Sequence, residues 1–177
     1  MVGSLQPDSY LGGEKLQPVR MPDLRSVVGD KYELYDSGGF GELDVRALLK
    51  QFGEKKAATE LSPSWQGGAY VAFRRVSVRT PETPVTPADI ALVYVSRWKS
   101  ADAAQKFAKV YASGIAKRYS DVHENLAAPC SGKQCPVMIV DVITSEGPVI
   151  IEQWKDNQLV IQRDSTRAPH RNFAMRS

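Results

Sequence analysis

"IALVYVSRWKSADAAQKFAKVY", Ile90 to Tyr111, changes its period in the middle. Ile90 to Trp98 is an almost unbroken run of β-branched, aliphatic and aromatic residues, the strongest strand pattern in the chain. Ser100 can then cap a helix by accepting a backbone N–H of its first turn. Beyond it Ala104, Phe107, Ala108, Tyr111 and Ile115 fall on one stripe, while Asp102, Gln105, Lys106, Lys109 and Ser113 take the water side. A strand feeding an amphipathic helix predicts a helix lying on a sheet. Gly114 inside that helix costs about 1 kcal/mol against Ala and predicts close packing on a strand.

Downstream, an irregular "SDVHENLAAPCSGKQC" gives way to three strand patterns, Pro136–Thr144, Pro148–Trp154 and Gln158–Asp164. Glu146-Gly147-Pro148 and Lys155-Asp156-Asn157 separate them, and such short turns between apolar runs mean antiparallel hairpins. Upstream, Val45, Leu48, Leu49 and Phe52 sit at i, i+3, i+4 and i+7, one face of a helix. Glu42 and Asp44 suit its positive end, and Gly53 its stop. Ala57, Ala58 and Leu61 continue inward until Ser62-Pro63 ends the helix. Ala69 to Val78 reads as a strand, closed off by the proline-rich "RTPETPVTPAD". Between them, Trp65-Gln66-Gly67-Gly68 reads as a reversal that folds Trp65 over the sheet edge and lets Tyr70 start the strand. The expected class is α+β: a mainly antiparallel sheet of about five strands, with two or three helices packed on one face. Residues 1–30, rich in Gly and Pro, read as an extended arm wrapping the domain. Residues 31–165 form the single domain, and 166–177 a flexible basic tail.

The chain's 177 residues suit one domain that needs neither cross-links nor metal to fold. A formal net charge of +3 is too slight to argue for nucleic acid, and no apolar run is long enough to span a bilayer. "MVGSLQPDSYLGG" lacks the charged start and apolar stretch of a secretion signal, which leaves a cytosolic protein or a piece of a longer precursor.

Three constellations touch on chemistry. Asp36-Ser37-Gly38-Gly39 matches the string around a trypsin-like nucleophile, but no histidine precedes Ser37, so a glycine-rich turn is the reading. His123 and His170 lack the spacing of zinc ligands, and Asp121, His123 and Glu124 would need a nucleophile to converge with. Cys130 and Cys135 are too far apart for a thioredoxin-like pair and too few for a metal, leaving two free thiols or a disulfide, which export would favour. No catalytic residue, metal or cofactor is assigned. Aromatic strand positions normally fill a core. A ligand or packing cluster is nonetheless assigned to Trp65, Gly67, Gly68, Tyr70, Arg97 and Trp98.

Read in order, "LQPDSYLGGE", "VRMPDL", "DSGGFGELDVRALL", "SPSWQGGAY" and "ALVYVSRWKSADAAQKFAKVY" resemble the C-terminal region of a group of uncharacterised exported bacterial and archaeal proteins. Those proteins carry His-Pro-x-x-Tyr-Leu-x-Gly-Glu, Leu-Pro-Asp-Leu, Asp-x-Leu-Gly-Glu, Gly-Trp-Gly-Gly-Asp-Arg-Tyr and Trp-x-Ser-x-x-Asp-Ala phrases, with a zinc-peptidase-like HExxH helix upstream. The match spans the first two thirds of the chain, and the ordered set carries it. Gly68 and Ala69 stand where the group has Asp and Arg. The resemblance implies an extracytoplasmic, non-catalytic accessory domain whose partner is an upstream domain of the same parent. The alternative is an envelope module binding a small ligand or protein in a cleft lined by Trp65, Trp98 and Arg97.

Overall fold

The structure, a computed structural model, describes residues 7–13, 15–24, 28–53, 55–78, 84–125, 135–155 and 157–163. Helix α1 (Pro7–Leu11) leads through an extended segment to strand β1 (Tyr32–Gly39), helices α2 (Glu42–Phe52) and α3 (Lys55–Leu61), and strands β2 (Trp65–Arg75) and β3 (Ile90–Trp98). Helices α4 (Ala101–Ser113) and α5 (Ile115–Arg118) follow. Four strands complete the described chain, β4 (His123–Glu124), β5 (Met138–Thr144), β6 (Gly147–Trp154) and β7 (Gln158–Arg163).

The strands form one antiparallel sheet in the order β1-β2-β3-β7-β6-β5-β4. The α4 crossover carries the chain from the sheet's middle to its far edge, and the hairpins β5-β6-β7 bring it back. That return pairs β7 with β3, so the middle and last thirds of the domain share the central ladder. The α+β class and antiparallel sheet hold, while five strands become seven. Tyr32–Gly39, half of it read as a glycine-rich turn, is an edge strand. Its Gly38 lies under the Tyr70 ring, where an added Cβ would meet the ring at 3.2 Å. The second addition, β4, is only two residues long and too short to show a period.

Alternation sends side chains to two faces. On the helix face Leu49, Trp65, Tyr94, Trp98, Phe107 and Ile151 belong to one core under α2, α3 and α4. Trp98 is fully buried, its ring 4.6 Å from Phe107, and its indole N–H donates to Ser96 Oγ at 3.0 Å. Ser100 caps α4 as its position predicts, accepting from Ala103 N at 3.1 Å. Gly114 ends α4 and packs closely, but its neighbour is Phe52 of α2, 3.1 Å from an added Cβ, rather than a strand. The opposite face is covered by the arm. Leu24 is 4% exposed among Phe73, Ala91, Val93, Val95 and Val160, with Val19, Met21 and Val28 beside it.

The expected bridge between Cys135 and Cys130, the tail 166–177 and His170 fall on residues outside those described, in whole or in part. No helix among the described residues is long and apolar enough to cross a membrane.

Candidate functional site

The phrases that stand apart in sequence meet at one end of β2. Trp65, Gly67, Gly68 and Tyr70 all lie within this strand, not in a turn before it, and a bulge between Trp65 and Gly67 shifts the register against β3. The reversal expected at Gly67-Gly68 is therefore absent. Trp65 pairs with Trp98 of β3 and is 3% exposed in the helix-face core, so it does not fold over the sheet edge.

Each glycine is required by a neighbour. An added Cβ on Gly67 would lie 2.0 Å from the Gln17 carbonyl oxygen, because the arm crosses the sheet there and Gln17 N–H donates to Gln66 O at 2.8 Å. On the other face, a Cβ on Gly68 would come within 2.9 Å of both Phe40 O and Tyr94 Oη and 3.0 Å of Trp65 Nε1. Phe40 N–H in turn reaches Gly68 O at 3.4 Å, and the Phe40 ring stands edge-on to Tyr94. Burial pushes the Tyr94 phenol far above its ordinary pKa, against the downward pull of Trp65 and Ser96 beside it. That hydroxyl stays protonated and serves packing rather than proton transfer.

Three carboxylates surround the junction, and all three have structural partners. Asp36 accepts from Tyr70 Oη at 2.7 Å and from Ser37 N–H at 2.8 Å; the Asp36 hydrogen bond is the main cause raising the Tyr70 phenol. Asp44 accepts from Gly41 N–H at 2.7 Å, closing the first turn of α2. Glu42, 1% exposed, accepts from Ser9 Oγ at 3.1 Å and ties α1 to α2. Residues of these sequence phrases thus tie the arm to β2 and α1 to α2.

The other candidates scatter. His123 and Glu124 are neighbours on a two-residue strand, so alternation sends them to opposite faces, and both are exposed. No group of three His, Cys, Asp or Glu side chains among the described residues could hold a metal. The assigned cluster also divides. Trp65, Gly68, Tyr70 and Trp98 belong to the helix face, whereas Gly67 and Arg97, directly paired, belong to the arm face.

On the arm face Arg97 has neighbours that the sequence reading left unconnected. Arg97 pairs with Gln158 of β7, and Gln158 with Trp154 of β6, so three side chains from three strands form a row. Two residues along β6 from Trp154, on the same face, lies Glu152. Burial pushes its carboxyl above the ordinary range and Asp141 adds to the push, against the pull of Trp154 and Gln162. The folded state therefore holds this proton more tightly than the unfolded chain. The group favours folding fully below the ordinary carboxylate pKa, and that contribution is lost as pH rises through the raised value. We predict that Glu152→Gln gains stability relative to the parent protein on going from about pH 4 to about pH 7. Urea midpoints at both pH values check this, and a variant-minus-parent difference that falls with rising pH would contradict it.

An antiparallel α+β domain with a structurally occupied motif junction is the class this geometry defines. The chain belongs to the family described as a domain of unknown function, DUF8575, whose model matches residues 30–167. The match takes in the whole sheet and helices α2 to α5, and leaves the arm outside. Neither a curated protein nor a solved structure matches the chain.

Proposed function

We propose that this is a non-catalytic accessory domain of an exported, peptidase-like parent protein, and that its arm orients a neighbouring metal-bearing segment. The observation that carries the reading is the seating of the arm's backbone on Gly67. Gln17 O lies where that residue's side chain would be, and Gln17 N–H is bonded to the strand. A segment joined to such an arm is held in register with the sheet rather than tethered loosely. The carboxylates at the junction are engaged in capping and tying, which suits a scaffold better than a reaction centre.

The test compares the 177-residue chain with a longer version carrying the parent's upstream sequence. Casein hydrolysis and bound zinc are measured for both. We expect both properties only in the longer protein, and hydrolysis or one zinc per molecule in the shorter chain would overturn the reading. A second reading, a ligand-binding module, is favoured by a single observation: the Arg97 guanidinium on the arm face, whose Nε is buried and has no hydrogen-bond partner among the described residues.

A further inference from the structure

We propose that the arm face carries a binding site for a monocarboxylate, centred on Arg97, with Gln158 as a hydrogen-bond acceptor and Trp154 as the platform for the ligand's apolar body. This deepens the binding-module reading and is independent of the accessory one.

Arg97 Nε and Gln158 Oε1 are both buried, and neither has a hydrogen-bond partner among the described residues. The two residues are directly paired across β3 and β7 and still do not bond each other. Buried polar groups are normally satisfied, and a guanidinium cannot shed its proton to escape the cost, so an orphaned Arg donor asks for an anion. No carboxylate of this chain among the described residues supplies it. An unpaired amide oxygen beside it asks for a donor. One ligand meets both demands if its carboxylate is flanked by an N–H or O–H.

Charge narrows the choice further. Arg97 supplies the guanidinium at this end among the described strand residues, while Glu152 and Asp141 lie farther along β6 and β5. A second negative charge on the ligand would face those carboxylates, which disfavours phosphate and favours a single carboxylate. It also orients the ligand, with its anion toward Arg97. Trp154 stands on the far side of Gln158 and is half-buried, so a hydrophobic or aromatic body can lie on its ring. Ile139, paired with Glu152 and 42% exposed, extends the apolar surface.

The chain has three tryptophans, so its indole N–H groups give three separable nitrogen–proton NMR signals, and only Trp154 is on the arm face. Two probes represent the two sources of this chemistry: N-acetylphenylalanine for a peptide C-terminus and phenyllactate for a free hydroxy acid. Phenylalaninamide with its amine acetylated is the neutral control, and inorganic phosphate the competing anion.

We expect at least one of the carboxylates to shift the Trp154 indole and Arg97 Nε–H signals in a saturable way, with the Trp65 and Trp98 indoles unmoved. Arg97→Met should raise the half-saturation concentration about tenfold or more, as loss of a charge-assisted hydrogen bond predicts. Arg97→Lys, which keeps the charge but not the planar fork, should fall between. The Trp98 indole signal verifies that each variant is folded, and Trp154→Leu gives an independent loss if Arg97→Met does not fold. An equal response to the neutral amide or to phosphate, or full binding by the Arg97→Met protein, would overturn the site. Shifts confined to Trp65 and Trp98 would overturn it while leaving a binding module elsewhere, and no response to either probe would count against both.

Discussion

Replacing Trp98 by alanine is expected to lower the domain's stability by about 4 kcal/mol, read as a drop in urea midpoint with an unchanged slope. The indole is fully buried, stacks at a tilt on Phe107, and gives its N–H to Ser96. Truncation therefore removes the packing of a sheet residue against α4 and leaves the equally buried Ser96 hydroxyl without its partner. Both effects act at the end of β3 where Trp98 N–H reaches Asn157 O and Lys99 N–H reaches Ser64 O, the contacts that hold the loops before β2 and β7 to the central strand. Trp98→Phe keeps most of the apolar volume and is expected to lose less than half as much. Equal losses for the two would mean that the hydrogen bond, not the packing, dominates.

Gly67→Ala is the second large effect and the more diagnostic one. One added methyl group would sit 2.0 Å from a backbone carbonyl oxygen that can step aside only by breaking the adjoining Gln17 N–H bond to Gln66 O. Overpacking of this kind costs about 3 kcal/mol when the clash is with main chain. The least costly relaxation is for the arm to lift, exposing Leu24 and the apolar row of Phe73, Val93 and Val95 beneath it. Limited proteolysis should then cut within residues 15–24 in the variant and spare that stretch in the parent, with the sheet intact in both. Loss of stability without new cleavage would show that the strand, and not the arm, had yielded.

The strand–helix unit around Ile90 to Tyr111 was legible because each half has a strong period and a cap residue between them. The three C-terminal hairpin strands were legible for the same reason. Tyr32–Gly39 escaped because an exposed edge strand needs no apolar alternation, and its Ser-Gly-Gly end carries turn residues. Gly67 and Gly68 were noticed but misread. Glycine signals that something comes close, and the sequence does not say whether that is the chain's own reversal or another segment of backbone. Here it is the arm on one side and Phe40, Tyr94 and Trp65 on the other. Arg97 was picked out with two tryptophans that alternation and sheet order place on the opposite face. Its true neighbours, Gln158 and Trp154, come from strands whose position beside β3 follows only from the crossover, a long-range pairing that local patterns do not encode.

Gln66 and Gly67 of β2 fasten the arm to the sheet. Hydrogen–deuterium exchange at the Gln17 amide tests this most directly, because its only role in the fold is the bond to Gln66. The amide is expected to exchange as slowly as those of β2 and to speed up selectively in Gly67→Ala. Exchange in the parent protein at the rate of an unprotected chain would contradict the account.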